Sequence, residues 1–171
     1  MFGKGYKFPD KAITWWDATG TAPVEITPQE CAETLARIPF FARLRPADWR
    51  NLGAAAVARS YAPGEDLVRE GQRPGVGLYV ILRGRVRITQ QSERGGVRSL
   101  ATLGPGEMFG EMALIDDQPR SATATALEPT LAFIIPIFDF RAALQRNTEA
   151  TGALLAQLSR RVREAEAAPR R

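Results

Sequence analysis

Between residues 60 and 136 the chain is a succession of short runs rich in Val, Ile, Leu and Tyr, broken at Pro63-Gly64, Pro74-Gly75, Arg94-Gly95-Gly96, Gly104-Pro105-Gly106 and Glu128-Pro129. Proline cannot donate to a strand ladder, and glycine supplies the backbone conformations that close tight turns, so each break ends a strand and reverses the chain. Strands this short with regular turn spacing predict an antiparallel β-roll of jelly-roll type. The run Gly84-Arg85-Val86-Arg87-Ile88 alternates strictly, which places Val86 and Ile88 inward and Arg85 and Arg87 in water.

Helix signals flank the roll, so the predicted class is mainly β with N-terminal and C-terminal helices. Thr27-Pro28-Gln29-Glu30 offers a capping threonine, proline at the first helical position and an acid in the first turn, followed by Cys31, Leu35 and Ile38 before Pro39 closes the helix. A turn at Phe40–Leu44 and a second helix from Pro46 through Ala58 lead into the strands. Beyond them, a helix opens at Pro136-Ile137-Phe138 and runs through Leu144. Another runs from about Thr148, with Leu154, Leu155, Leu158 and Val162 on one apolar stripe. Residues 1–27 mix Gly, Pro, Thr and aromatics without period and are expected to form a flexible arm. Its Trp15-Trp16 pair fits a docking motif or, as favoured, rings folded back onto the arm's own domain. The predicted layout is this arm, a domain over 28–166 with the roll at about 60–136 and helices at about 137–166, and a basic tail at 167–171.

The 171 residues, 44% of them hydrophobic, suit one domain with a sizeable core. No run approaches the roughly twenty apolar residues of a membrane span, and the N-terminus lacks the apolar stretch of a secretory signal, so a cytoplasmic location is expected. Cys31 has no second cysteine to pair with and is expected to pack as a small apolar residue. Histidine is absent, which removes the commonest metal ligand and general base, and no Ser, Thr or Cys sits in a nucleophile motif. Neither a metal site nor an enzyme is expected. The net charge of +4 comes from 23 basic and 19 acidic residues interspersed along the chain and is expected to be mostly solvated surface. Arg160, Arg161, Arg163, Arg170 and Arg171 cluster near the C-terminus, where they favour a helix dipole.

Chemistry concentrates in Phe109-Gly110-Glu111-Met112-Ala113-Leu114 and, six residues on, Arg120-Ser121-Ala122-Thr123. A glycine lets backbone approach an anion, and the amides of Gly110, Glu111, Met112 and Ala113 at the start of a short helical turn would point at it. Arg120 supplies a planar fork for the anion's oxygens. Beside an anion the Glu111 carboxylate needs a donor of its own, and a ribose hydroxyl serves. Ser121 can donate to a phosphate or to a base above it. The alternative for the same residues is a retained structural turn with a surface arginine.

At these residues the chain resembles the phosphate-binding cassette of the cyclic nucleotide-binding domain family, found in the bacterial catabolite activator and in kinase regulatory subunits. Tyr61-Ala62-Pro63-Gly64-Glu65, Arg69-Glu70-Gly71, Leu78 through Val86 and Leu103-Gly104-Pro105-Gly106-Glu107 extend the resemblance over roughly residues 38 to 166. The resemblance implies a short cassette helix and a cyclic nucleotide ligand, cyclic AMP on family frequency or cyclic GMP. It further implies a C-terminal helix that covers the base and pairs with its copy in a homodimer or meets a protein partner. Ala165 and Glu166 fall where the catabolite activator carries a hydroxyl pair that contacts adenine; Glu166 is acceptor-only and suits adenine's amino group or guanine's two donors. The loop Gln72–Gly77 departs from the family in lacking an acid before the aromatic strand, with Asp116 or Asp117 as possible substitutes in supporting Arg120. The sequence ends at Arg171 without a helix-turn-helix, so direct DNA binding is not expected. Two other readings stay open: a scaffold that kept the roll and lost its ligand, and a receptor for cyclic di-GMP.

Overall fold

The computed structural model describes residues 13–16, 23–73, 77–92, 95–112 and 118–167, by backbone alone at 13–16, 23–25 and 165. Strands β1 (Ile13–Trp16) and β2 (Pro23–Ile26) form an antiparallel hairpin with Ile13 opposite Ile26, and β1 lies beside the first strand of the roll. No regular element was expected in this arm. The β-branched and aromatic residues of Ile13-Thr14-Trp15-Trp16 and of Val24 and Ile26 account for the pairing. The choice between the two roles of Trp15-Trp16 concerns side chains outside the described residues.

Helix α1 (Pro28–Arg37) starts on a capping box: Thr27 Oγ1 accepts from the Glu30 amide at 3.2 Å, and the Glu30 carboxylate accepts from the Thr27 amide at 2.7 Å. Cys31 is buried on this helix, and burial, with a smaller push from Glu30, raises its thiol to about 12, which suits a packing residue. After a 3-10 turn at Phe41–Arg43, α2 (Pro46–Ala55) stops three residues short of the predicted Ala58, because β3 (Val57–Tyr61) is drawn into the sheet, with Val57 opposite Ile134.

The strands that follow are β4 (Asp66–Val68), β5 (Gly77–Arg83), β6 (Val86–Gln91), β7 (Val97–Leu103), β8 (Met108–Phe109), β9 (Thr123–Ala126) and β10 (Thr130–Pro136). They form two antiparallel sheets, β3-β10-β5-β8 and β4-β9-β6-β7. The first sheet is buried on both faces. Leu131, Phe133 and Ile135 of β10 point to a core shared with Leu35, Phe41, Leu52 and Phe140, while Ala132 points the other way, into the roll with Ile81, Val86 and Phe109. At the start of β6, Val86 is buried and Ile88 packs on the roll core, while Arg87 and the preceding Arg85 are exposed, as the alternation predicts.

Helices α3 (Ile137–Gln145) and α4 (Thr148–Ala167) follow the last strand. Their bend is held by a buried carboxylate. Asp48 of α2 accepts from Arg146 Nη2 at 2.8 Å, from Asn147 Nδ2 at 2.9 Å and from Arg45 Nε at 3.1 Å, and Asn147 Oδ1 takes the Arg45 amide at 3.2 Å. Burial works to raise this carboxyl, but the hydrogen bonds from Asn147, Arg146 and Arg45 outweigh it and hold it below its usual value. Along α4 the predicted single stripe divides: Leu154 is buried and Leu158 packs on the domain, whereas Leu155 and Val162 are 62% and 55% exposed.

Candidate functional site

The turn before β8 fixes the approach to the site. The Glu107 carboxylate accepts from the Gly104 amide at 2.7 Å, and backbone bonds from Gly106 to the Ile81 carbonyl and from Ile81 to the Glu107 carbonyl strap the turn to β5. The chain leaves β8 through Gly110, whose φ of 89° lies in the left-handed region open to glycine. A Cβ there would sit 2.5 Å from Arg120 Nη1, so the glycine also makes room for the arginine.

Arg120 is locked by its backbone and its side chain. Its amide donates to the Gln72 carbonyl at 2.9 Å and its carbonyl accepts from the Gly71 amide at 2.8 Å. Arg120 as a whole is 4% exposed; Nη1 donates to the Gly110 carbonyl at 3.0 Å and Nη2 to the Gly77 carbonyl at 2.9 Å. The guanidinium carbon lies 5.7 Å from the centre of the Tyr79 ring, which stacks on Phe109 at 5.0 Å. Burial lowers the guanidinium's pKa, partly offset by Tyr79 and Glu111. The acid missing from the Gln72–Gly77 loop is thus replaced by neutral carbonyls. A Cβ on Gly77 would stand 2.7 Å from the Ile135 carbonyl oxygen, which explains why a glycine stands there. Asp116 and Asp117 lie outside the described residues.

Glu111 is also buried, 1% exposed, and forms an ion pair with Arg161 of α4, whose Nη2 donates to the Met108 carbonyl at 2.7 Å. Two side-chain atoms in this region are buried without a partner: Arg120 Nε, a donor, and Glu111 Oε2, an acceptor. Met112 is half exposed. Ser121 is exposed, and its carbonyl accepts from Gln90 Nε2 at 2.9 Å. Gly110, Glu111, Met112, Arg120 and Ser121 line one cavity of about 910 Å³ between β7 and α4; Ala113 lies outside the described residues. Glu166 is exposed and does not line the cavity, and Ala165 is described by backbone alone. Sequence reasoning missed the roles of Gly77 and Arg161. Nothing in local spacing joins Arg161 to a carboxylate fifty residues away, and a carbonyl acceptor leaves no mark on residue type.

Residues 58–147 match the cyclic nucleotide-binding domain family. The chain belongs to that family. Among proteins similar to this cyclic nucleotide-binding domain, the cyclic AMP receptor protein of Thermus thermophilus is 37% identical over 75% of this chain and 59% of its own length. The cGMP-dependent protein kinase of Eimeria tenella is 37% identical over 62% of this chain and 10% of its own. In structure, the Thermus thermophilus catabolite activator protein superposes with a TM-score of 0.65, at 37% identity, over 75% of this chain and 60% of that one. The chain therefore spans no more than about three-fifths of these relatives. Among the described residues of the domain, no helix is long and apolar enough to cross a membrane.

Proposed function

We propose that the domain is a receptor for a 3′,5′-cyclic purine nucleotide, cyclic AMP or cyclic GMP, that transmits occupancy through α4. One observation carries this: a donor, Arg120 Nε, and an acceptor, Glu111 Oε2, are buried and unpartnered at one cavity. Among the described residues the hydrogen bonds of this buried guanidinium go to neutral carbonyls, and an anion would relieve its burial further than the nearby Glu111 does. A phosphate provides that anion and a ribose hydroxyl the donor that Glu111 Oε2 lacks. The phosphate would lie at Gly110 and Arg120 and the ribose at Glu111, with the base toward the space between β7 and α4. Equal identity to a cyclic AMP receptor and to a cGMP-dependent kinase supports the nucleotide class without choosing the base.

Transmission rests on Arg161. Because it already pairs with Glu111, a ribose entering the site must share or displace it, and α4 moves with the outcome. Leu155 and Val162, one heptad apart on the outer side of α4, offer that movement to a second copy or a protein partner. A ligand that prefers one helix arrangement a hundredfold shifts it by about 2.7 kcal/mol.

Isothermal titration with cyclic AMP, cyclic GMP and cyclic di-GMP, alongside Arg120→Ala, tests the receptor. Saturable binding abolished by the variant is expected for a cyclic mononucleotide. Heat only with cyclic di-GMP, or with none of the three, would leave the other receptor or the ligand-free scaffold.

A further inference from the structure

Between β7 and α4 the cavity is lined by charges that the phosphate and ribose contacts do not use, among them Arg98, Glu164 and, four residues before it, Arg160. Arg98 stands on β7 opposite Gln90 of β6. Alternation from Val86 and Ile88 puts Gln90 on the inward face, and its partner Arg98 shares that face. Gln90 in turn holds the Ser121 carbonyl at 2.9 Å, which ties this strand pair to the residue after Arg120. From the opposite wall, Glu164 of α4 lies three residues beyond Arg161 and so on the same side of the helix. Arg98, Ser121 and Glu164 all line the cavity. Among the described residues, neither the Arg98 nor the Glu164 side chain takes part in an ion pair or hydrogen bond.

We infer that Arg98 and Glu164 select a 6-oxopurine base, guanine over adenine; this rests on the receptor reading and names its ligand. Arg98 is donor-only, and its fork matches the adjacent acceptors O6 and N7 of guanine. Adenine offers it N7 but sets an amino group against the remaining donors. Glu164 is acceptor-only and matches guanine's N1–H and 2-amino donors, whereas adenine's N1 is itself an acceptor. One wall therefore donates where guanine accepts, and the other accepts where guanine donates. The cyclic AMP expected from family frequency satisfies at most half of this pattern.

The test is titration of the full chain with cyclic GMP, cyclic AMP and cyclic IMP, whose base keeps O6, N7 and N1–H but lacks the 2-amino group. Wild type is expected to bind cyclic GMP on the order of tenfold or more tighter than cyclic AMP. Arg98→Ala should narrow the advantage of both 6-oxopurines over cyclic AMP, and Arg98→Ala combined with Glu164→Ala should erase it. Glu164→Gln should weaken cyclic GMP more than cyclic IMP. Both side chains are exposed, so the variants are expected to fold, which circular dichroism checks. Cyclic AMP binding as tightly as cyclic GMP in wild type, or a preference left undiminished by Arg98→Ala, overturns the inference and leaves the receptor intact. Silence from all three nucleotides overturns the receptor reading and this inference with it.

Discussion

Arg120 is the residue at which folding and binding oppose each other. Its two carbonyl bonds each contribute about 1 kcal/mol, while keeping a guanidinium away from water, only partly offset by Glu111, works in the other direction. Truncation removes both effects together. Arg120→Ala is therefore expected to change unliganded stability by no more than about 1 kcal/mol, measured by urea denaturation, while nucleotide binding is lost. A loss of several kcal/mol would mean that the arginine is a structural post. Gly110 gives the complementary case. Gly110→Ala forces a side chain onto a backbone at φ 89° and into Arg120 Nη1, so it should destabilise the fold by about 1–2 kcal/mol and weaken nucleotide binding as well. Wild-type stability and affinity in this variant would show that the turn relaxes freely.

At the scale of elements, the joint between α2 and the α3–α4 bend depends on Asp48. Its folded pKa lies below the ordinary Asp value of about 3.9, so its contribution is present above that pH and is lost as pH falls toward and through the lowered folded value. Asp48→Asn should lower stability by about 1–3 kcal/mol at pH 7, with the gap to wild type narrowing below about pH 4. A gap that stays constant from pH 7 to pH 3 in thermal melts would remove the carboxylate from the account. This joint was invisible in the sequence, because Asp48, Arg146 and Asn147 meet only when helices about a hundred residues apart pack together. What sequence did disclose was local: the Thr27–Glu30 capping box, the alternation through Val86 and Ile88, and the turn at Gly104–Gly106 each follow from neighbours within a few residues. The same limit governs the site. Gly110, Glu111 and Arg120 lie in one short stretch of chain that a cassette pattern reveals, but the Gly77 carbonyl and Arg161 reach it through the third dimension.

For the whole molecule, α4 is the one described element that touches the cassette through Arg161, the helical core through Leu154 and solvent through Leu155 and Val162. If a second copy covers the outer side, burying each Leu or Val side chain is worth at most about 1.5–3 kcal/mol, so a few such residues per protomer give an association that modest shifts of α4 can tip. Linkage then makes the effect reciprocal: a nucleotide that changes dimer affinity must bind dimer and monomer with different affinities by the same factor. Sedimentation equilibrium with and without saturating cyclic GMP measures one side, and titration across a range of protein concentrations measures the other. Leu155→Glu should give a monomer under both conditions while keeping the pocket. Arg161→Ala should still dimerise, but with a dimer constant that no longer responds to nucleotide, since Glu111, the carboxylate proposed to meet the ribose, has lost its hold on the helix. A wild-type dimer constant that nucleotide leaves unchanged would instead make α4 a fixed lid, and the output surface would have to lie elsewhere on the domain.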